Sequence, residues 1–176
     1  KISKALSLDK SLSENKIKTK ILFEKCAKRK GRVVFFGNGG SAAIASHSSV
    51  DLNKNAKIPS ISFNDTAIIT CYANDFGYKN WISKTIELSL SKKDIVVLIS
   101  SSGKSPNILN AAKCAKKKKI QTITLSGMSE KNNLKKMGLV NFWVESKSYN
   151  IIETAHQFFI MAVIDLIIGK SEYKAN

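Results

Sequence analysis

The stretch GNGGSAAIASH, residues 37–47, follows a short apolar run, RVVFF, at residues 32–36. An apolar run that ends in a glycine-rich loop and continues into a helix-compatible sequence is typical of a strand, loop and helix start in an α/β protein. The free N–H groups at such a helix start can hold a phosphate. The stretch therefore predicts an α/β fold and a phosphate ligand, either the pyrophosphate of a dinucleotide or the phosphate of a small sugar.

The rest of the chain repeats this alternation of apolar runs and helix-compatible segments. Further strands are predicted at residues 58–63, 94–100, 120–126 and 139–145. Helices are predicted at residues 18–31, 41–53, 66–90 with a break near Asp75–Gly77, 106–119 and 150–169, with a short helix after the fourth strand. This alternation predicts a single α/β domain over residues 1–176, with a five-stranded parallel sheet flanked by helices in a three-layer sandwich. Ligands of such sheets lie beyond the carboxyl ends of the strands, so the residues after each strand are the candidate site.

The charge of the chain is strongly basic, with 29 Lys and Arg residues against 13 Asp and Glu and a net charge of +16. Basic charge of this size raises nucleic acid as a partner. The lysines are, however, spread along the chain, and the longest block, KKKK at residues 116–119, ends a predicted helix, where cations complement the helix dipole. We therefore interpret the charge as a solvated surface and do not expect a nucleic-acid partner.

Cysteine usage and the apolar terminal segment bear on location and assembly. Cys26, Cys71 and Cys114 are far apart and form no C-x-x-C motif, which favours reduced, buried thiols in a cytoplasmic protein. We also expect no signal peptide. The run FFIMAVIDLII, residues 158–168, is too short to span a bilayer and contains an aspartate, so no membrane association is expected. Because the terminal helix is apolar around most of its circumference, we expect it and the first helix, about residues 14–30, to pack against other subunits.

The loop SSSGKS, residues 100–105, follows the third predicted strand and precedes Pro106, which suits the first turn of a helix. It offers four hydroxyl groups, from Ser100, Ser101, Ser102 and Ser105. Hydroxyls and the N–H groups of a helix start can bind a phosphate without a cation. Serine is also a preferred helix cap, but capping explains one serine better than four. We therefore favour phosphate binding by this loop.

The dinucleotide alternative rests on the glycine loop. GNGGSA fits the pattern G-x-G-x-x-A after a strand, and Asp65 follows the second strand, as in a nicotinamide-binding fold. That fold does not call for a second, serine-rich phosphate loop, and it leaves the polar residues of the next helix without a role. No nucleotide cofactor is therefore expected.

Two helices each carry a histidine and an acid on one face. His47 and Asp51 are spaced i, i+4, and Glu153 and His156 are spaced i, i+3. Such a set can bind a divalent transition metal or supply an acid and a base for proton transfer. The alternative is a pair of structural histidines, on the surface or hydrogen-bonded, and the residues alone leave both interpretations open.

Four motifs, FFGNGGSAAIASH, ANDFGY, ISSSGKSPNIL and TITLSG, resemble in their order those of the sugar isomerase (SIS) family, and within it the phosphoheptose isomerases. The resemblance covers about residues 30–168. It implies a cytoplasmic homotetramer whose active sites lie between subunits, and a zinc ion in many members. It also implies that sedoheptulose 7-phosphate is interconverted with a heptose 7-phosphate aldose for surface-polysaccharide synthesis.

The resemblance also implies roles for particular residues. The four serines of residues 100–105 would hold the phosphate, and the remaining substrate contacts would come from Asn38, Gly39, Gly40, Ser41, Asn74 and Asp75. His47 matches a metal-ligand histidine, and Asp51 stands where the family has a glutamate that acts as base and metal ligand. Glu153 stands where the best-known members have a glutamine.

The chain departs from the family at the second catalytic histidine, whose place is taken by Met161, while His156 is present as in a capsule-associated branch. The resemblance thus predicts catalytic roles for Asp51, Glu153 and His156, and a zinc site formed by these three residues with His47. The departures keep a second function open, in which the chain is a non-catalytic SIS module that binds a phosphosugar or a protein partner as a regulator.

Overall fold

A computed structural model describes residues 10–170 of the protein. Its strands are β1 (Val33–Phe36), β2 (Ser60–Ser62), β3 (Ile95–Ser100), β4 (Gln121–Gly127) and β5 (Val140–Val144). All neighbouring strands are parallel, in the order β2-β1-β3-β4-β5. The predicted α/β class and five-stranded parallel sheet are confirmed.

The helices alternate with these strands. They are α1 (Lys10–Lys28), α2 (Gly40–Lys54), α3 (Thr66–Phe76), α4 (Trp81–Ser89), α5 (Pro106–Lys117) and α6 (Tyr149–Ile168), with a 3-10 turn at Leu134–Lys136. The first helix begins well before the predicted residue 18. Contacts distant in sequence hold this extension, because Leu12 packs against the core and the Asn15 side chain donates to the Asn141 carbonyl at 3.1 Å.

Each face of the sheet is covered by three helices. Helices α1, α2 and α6 pack on one face and α3, α4 and α5 on the other. Strand β3 alternates between the two layers, since Ile95, Val97 and Ile99 belong to the first core and Val96 and Leu98 to the second. Burial on both faces explains why this strand is apolar throughout.

The strand order reverses direction between β1 and β3, which lie side by side in the sheet. In doubly wound sheets of the order 2-1-3-4-5, the crevice outside the carboxyl ends at this point is the ligand site. The loops at residues 37–39 and 101–105 flank it. The topology thus brings the two loops that the sequence singled out to one edge of the sheet.

Helix α6 is, by length and composition, long and apolar enough to cross a membrane, and among residues 10–170 it alone has this property. Core helices of globular proteins share the property. Here α6 packs on α1, α2 and the sheet, and it buries one face from Ile152 to Ile164. Phe158 and Leu166 remain exposed on the opposite face.

Candidate active site

The glycine loop connects the end of β1 directly to α2. Gly39 adopts a φ of +53°, in the left-handed region that glycine tolerates best. A Cβ atom at Gly37 would overlap the backbone of Ser41, and the Ser41 N–H donates to the Asn38 carbonyl at 3.0 Å. These contacts explain two of the glycines by local geometry, without a bound dinucleotide.

The start of α2 is covered by the carboxylate of Glu153. A Cβ atom at Gly40 would overlap both carboxylate oxygens of Glu153, so the acid of α6 lies directly against the first residue of α2. A carboxylate is favourable at a helix N-terminus, whereas a pyrophosphate bound there would be repelled by it. Asp65, the other element of the dinucleotide pattern, caps α3 by accepting from the N–H groups of Ala67 and Ile68. Both findings count against the dinucleotide alternative.

The serine loop keeps its hydroxyls away from the helix that it precedes. Gly103 has a φ of +63° and donates its N–H to the Ser100 carbonyl at 2.9 Å, which closes a tight turn. The Ser100 and Ser105 hydroxyls lie 3.0 Å apart, and Ser105 makes no capping hydrogen bond to α5. The hydroxyl of Ser101 is buried without a partner. Capping therefore does not account for Ser105, whose hydroxyl lies beside that of Ser100 in the loop.

The turn that follows β4 packs against Gly103 of the serine loop and is hydrogen-bonded to it. Asn132 is buried, and its side chain lies where a Cβ atom at Gly103 would be. Its amide hydrogen-bonds within the turn to Ser126, Gly127, Ser129 and Lys135. The N–H of Leu134 donates to the Gly103 carbonyl at 3.3 Å. The conformation of the serine loop thus depends on a residue outside all of the sequence motifs.

A reciprocal pair of amides joins the glycine loop to the first turn of α5, directly after the serine loop. Asn38 Nδ2 donates to Asn107 Oδ1 at 3.0 Å, and Asn107 Nδ2 donates to Asn38 Oδ1 at 2.8 Å. The phenol of Tyr78 also donates to Asn38 Oδ1, at 3.0 Å. The predicted substrate residue Asn38 is therefore held from two sides.

The structure places Asn74 and Asp75 in the last turn of α3, both exposed. The Asn74 amide donates to the Asp75 carboxylate at 2.9 Å. Within residues 10–170 neither side chain hydrogen-bonds to the glycine loop or the serine loop. Their predicted contact with substrate stays a prediction, and the ANDFGY segment reaches the site through Tyr78 instead.

Helices α2 and α6 run side by side and bring His47 next to two polar residues. His47 Nε2 lies 3.1 Å from Asp51 Oδ2, and His47 Nδ1 lies 3.4 Å from the side-chain amide nitrogen of Gln157. The His47 side chain is 58% exposed. The pKa of the Asp165 carboxyl on α6 is raised, first by burial and then by the negative charge of Asp51. This region therefore combines an exposed imidazole with the adjacent carboxylate of Asp51.

His156 does not belong to this group, which corrects its predicted role. Its imidazole is fully buried, packs edge-on against Phe142, and has Nε2 3.0 Å from the Ser126 carbonyl oxygen. Burial lowers the pKa of His156 to about 4, so the ring is neutral at neutral pH. The prediction of His156 as an acid–base residue and metal ligand is wrong, because a side chain enclosed in the core cannot reach the exposed His47.

The four predicted zinc ligands are not brought together within the described part of a single chain. Within residues 10–170 no group of three or more His, Cys, Asp or Glu side chains is arranged to hold a metal ion. His47 and Asp51 are adjacent, whereas Glu153 lies at Gly40 and His156 lies in the core. A zinc site needs three or four ligands, so the residues of one chain do not fit it.

The family model described as the SIS domain matches residues 7–127. The phosphoheptose isomerase of Buchnera aphidicola from Acyrthosiphon pisum is 34% identical over 179 residues, which span 99% of this chain and 92% of that protein. This chain belongs to the phosphoheptose isomerase branch of the SIS family. The resemblance carried by the four motifs is thereby confirmed.

Solved structures of this branch have the same fold. A phosphoheptose isomerase from Neisseria gonorrhoeae superposes with a TM-score of 0.85 at 27% identity and covers 95% of this chain and 90% of its own. One from Francisella tularensis gives a TM-score of 0.80 at 25% identity, with 89% and 86% covered. The agreement extends over nearly the whole of each chain, so the architecture of the SIS fold is preserved here.

Four polar residues of this SIS-family member were not predicted from the sequence. Tyr78 and Asn107 contact Asn38 of the glycine loop, and Gln157 and Asp165 lie on α6. A signal existed for two of them, because positions 153, 157, 161 and 165 recur every fourth residue and share one face of α6. Asn107 and Tyr78 gave no such signal, since their partner Asn38 is distant in sequence.

Proposed function

We propose that this chain is an aldose–ketose isomerase that interconverts sedoheptulose 7-phosphate and a heptose 7-phosphate. Membership of the phosphoheptose isomerase branch supports this reaction class. The observation that carries the phosphate assignment is the serine loop at the reversal point of the sheet, where Ser105 does not cap its helix and its hydroxyl lies 3.0 Å from that of Ser100. The glycine loop is the weaker candidate, because Glu153 already occupies the start of α2.

The position of the reacting carbons follows from that of the phosphate. His47 lies seven residues after Gly40, about 10 Å further along α2. A sugar held by its phosphate at the sheet edge therefore has to extend along α2 to reach His47 and Asp51. A seven-carbon chain in an open form suits such an elongated site.

The chemistry needs one base near C1 and C2. A base removes a proton from C1 of the ketose and an enediol forms. The base exchanges that proton with solvent and delivers a solvent proton to C2, while a hydroxyl proton passes from O1 to O2. We assign the base to Asp51, whose carboxylate lies 3.1 Å from His47 Nε2. Glu153 lies against Gly40 at the start of α2, so we assign it to contacts with the sugar hydroxyls between the phosphate and the reacting carbons.

We propose that zinc, where it binds, is held by His47 and Asp51 from this chain and not by His156. When bound, such an ion would polarise the substrate carbonyl. The pair supplies only two of the ligands that zinc requires, so others would have to come from another subunit. Metal analysis of the purified protein and of His47→Ala tests this, since the variant should lose zinc that the wild-type protein retains.

We propose a homotetramer in the cytoplasm, with the sugar product used for surface-polysaccharide precursors. Large exposed apolar side chains support self-association on one side of the sheet: Ile17 and Ile21 on α1, Val50 on α2, and Phe158 and Leu166 on α6. Val50 adjoins Asp51, so a second copy packed there would close over the His47–Asp51 pair. Light scattering that gives about four times the chain mass of 19.4 kDa would support this assembly, and a stable monomer would contradict it.

A second candidate function is a phosphosugar-binding regulator without turnover. The specific observation in its favour is that His156 is buried and Met161 is packed against the core, so α6 offers no histidine for proton transfer. NMR of the protein with sedoheptulose 7-phosphate, with and without added zinc, separates the two functions. Formation of an aldose supports the isomerase, whereas saturable binding without product supports the regulator.

A further inference from the structure

We infer that Asn107 is a positioning residue that aligns Asn38 with the sugar when the serine loop holds the phosphate. The inference rests on the proposed function, because it assigns a role within the same site. It starts from the reciprocal hydrogen bonds between Asn38 and Asn107, at 3.0 and 2.8 Å. Within residues 10–170 no other side-chain pair joins the glycine loop to the serine loop or to the first turn of α5.

The hydrogen bonds fix the orientation of both amides. Asn38 Oδ1 accepts from Asn107 Nδ2 and from the Tyr78 phenol, and Asn107 Oδ1 accepts from Asn38 Nδ2 and from the Ile108 N–H at 3.0 Å. Each oxygen has two lone pairs, so both are filled, and each NH₂ group keeps one free N–H. Rotating either amide by 180° would place a donor against a donor. Asn107 therefore fixes the orientation of the Asn38 amide and, with it, the direction of the free N–H of Asn38.

Burial separates the roles of the two residues. Asn107 is 2% exposed, whereas Asn38 is only partly buried. Because Asn107 is buried, its side chain cannot contact the sugar directly. It acts instead through Asn38, to which it is hydrogen-bonded. Asn107 is a positioning residue, and Asn38 is the residue that contacts the substrate.

The same turn of helix serves the phosphate and the amide pair. Asn107 lies two residues after Ser105, the hydroxyl partner of Ser100. A phosphate bound to these hydroxyls contacts the turn that carries Asn107, and Asn107 in turn holds Asn38. Sugar recognition is thereby coupled to phosphate recognition, so the site should favour phosphorylated sugars by more than the contacts to phosphate alone provide.

Asn107→Ala tests the coupling, and Asn110→Ala is its matched control. Asn110 is also an amide on α5, but it bonds to the Lys79 carbonyl and to Asn80, away from the two loops. We expect Asn107→Ala to weaken the binding of sedoheptulose 7-phosphate about five- to tenfold, the effect of one lost hydrogen bond. The loss should appear both in KM and in the Kd measured by calorimetry. Inhibition by inorganic phosphate should change less than about twofold, and Asn110→Ala should resemble wild type in both assays.

A double-mutant cycle with Asn38→Ala separates positioning from general structural support. If Asn107 acts through Asn38, the double variant should be no worse than the weaker-binding single variant. Additive losses, an equal loss of inorganic-phosphate binding, or equal behaviour of Asn107→Ala and Asn110→Ala would overturn the inference. If Asn107→Ala does not fold, Asn107→Ser gives the same comparison, because a hydroxyl at this position cannot reach Asn38. A wild-type protein that neither binds nor turns over the sugar phosphate would instead overturn the proposed function, and with it this inference.

Discussion

The Gln157 side-chain amide lies 3.4 Å from Nδ1 of His47, across the contact between α2 and α6. His156, the neighbouring residue, points into the core and contacts the Ser126 carbonyl instead. Since consecutive helix residues are rotated by about 100°, only one of the two can face α2. The polar face of α6 at this site therefore carries Glu153, Gln157 and Asp165, without a histidine.

The serine loop should carry most of the affinity for phosphate. Replacing Ser102 and Ser105 by alanine removes hydrogen bonds to a charged group, which contribute about 1.5–3 kcal/mol each. Calorimetry should show at least about tenfold weaker binding of sedoheptulose 7-phosphate. Ser83→Ala is the control, because its hydroxyl donates to the carbonyl of Asn80, the residue that precedes α4. Unchanged affinity in a folded double variant would place the phosphate elsewhere.

Gly103 should be sensitive to substitution for two reasons that a comparison with Gly169 can separate. Both have positive φ, of +63° and +83°, but a Cβ atom at Gly103 would overlap Asn132 and one at Gly169 would meet open space. Gly169→Ala should cost only the backbone term of about 1–2 kcal/mol. Gly103→Ala should lose more stability in urea unfolding and should also weaken phosphosugar binding. Equal effects at the two positions would mean that Asn132 does not fix the serine loop.

Asp51 should be needed for turnover more than for binding. Asp51→Asn keeps the size of the side chain but removes the base, so kcat should fall by about 10²–10⁴-fold while Kd for the sugar phosphate changes little. Asp165→Asn is the matched control, because this acid of α6 makes no described ion pair with His47, and the charge of Asp51 raises its pKa. A loss of kcat in Asp165→Asn alone would transfer the role of the base to Asp165.

His156 should make the protein less stable in mild acid. Burial lowers its folded-state pKa from 6.5 to about 4, so the unfolded chain binds the proton more readily. The neutral ring therefore contributes fully to the free energy of unfolding above pH 6.5. This contribution is lost as the pH falls towards 4, by about 3 kcal/mol in total. Urea unfolding between these pH values should show this slope in wild type and in His47→Gln, but not in His156→Gln. A slope retained in His156→Gln would assign the effect to another group.

The fold and the two loops could be predicted from the sequence because local patterns determine them. Buried parallel strands such as β3 are continuous apolar runs, and a parallel sheet places the residues after its strands at one edge. The faces of α6 could not be predicted in the same way. A helix that is apolar on most sides gives no indication whether His156 or Gln157 packs inward, and the core around Phe142 decides it. The Asn38–Asn107 pair joins residues 69 positions apart, which no local pattern reveals.

The central claim is that this chain isomerises a phosphosugar through an enediol, with the phosphate held by the serine loop. The most direct measurement is a time course by NMR with sedoheptulose 7-phosphate in deuterated water. The account predicts an aldose product that carries solvent deuterium at C2, formed by wild type and lost with Asp51→Asn. Saturable binding of the sugar phosphate by wild type, with no product and no deuterium incorporated, would contradict it and identify the chain as a binding module.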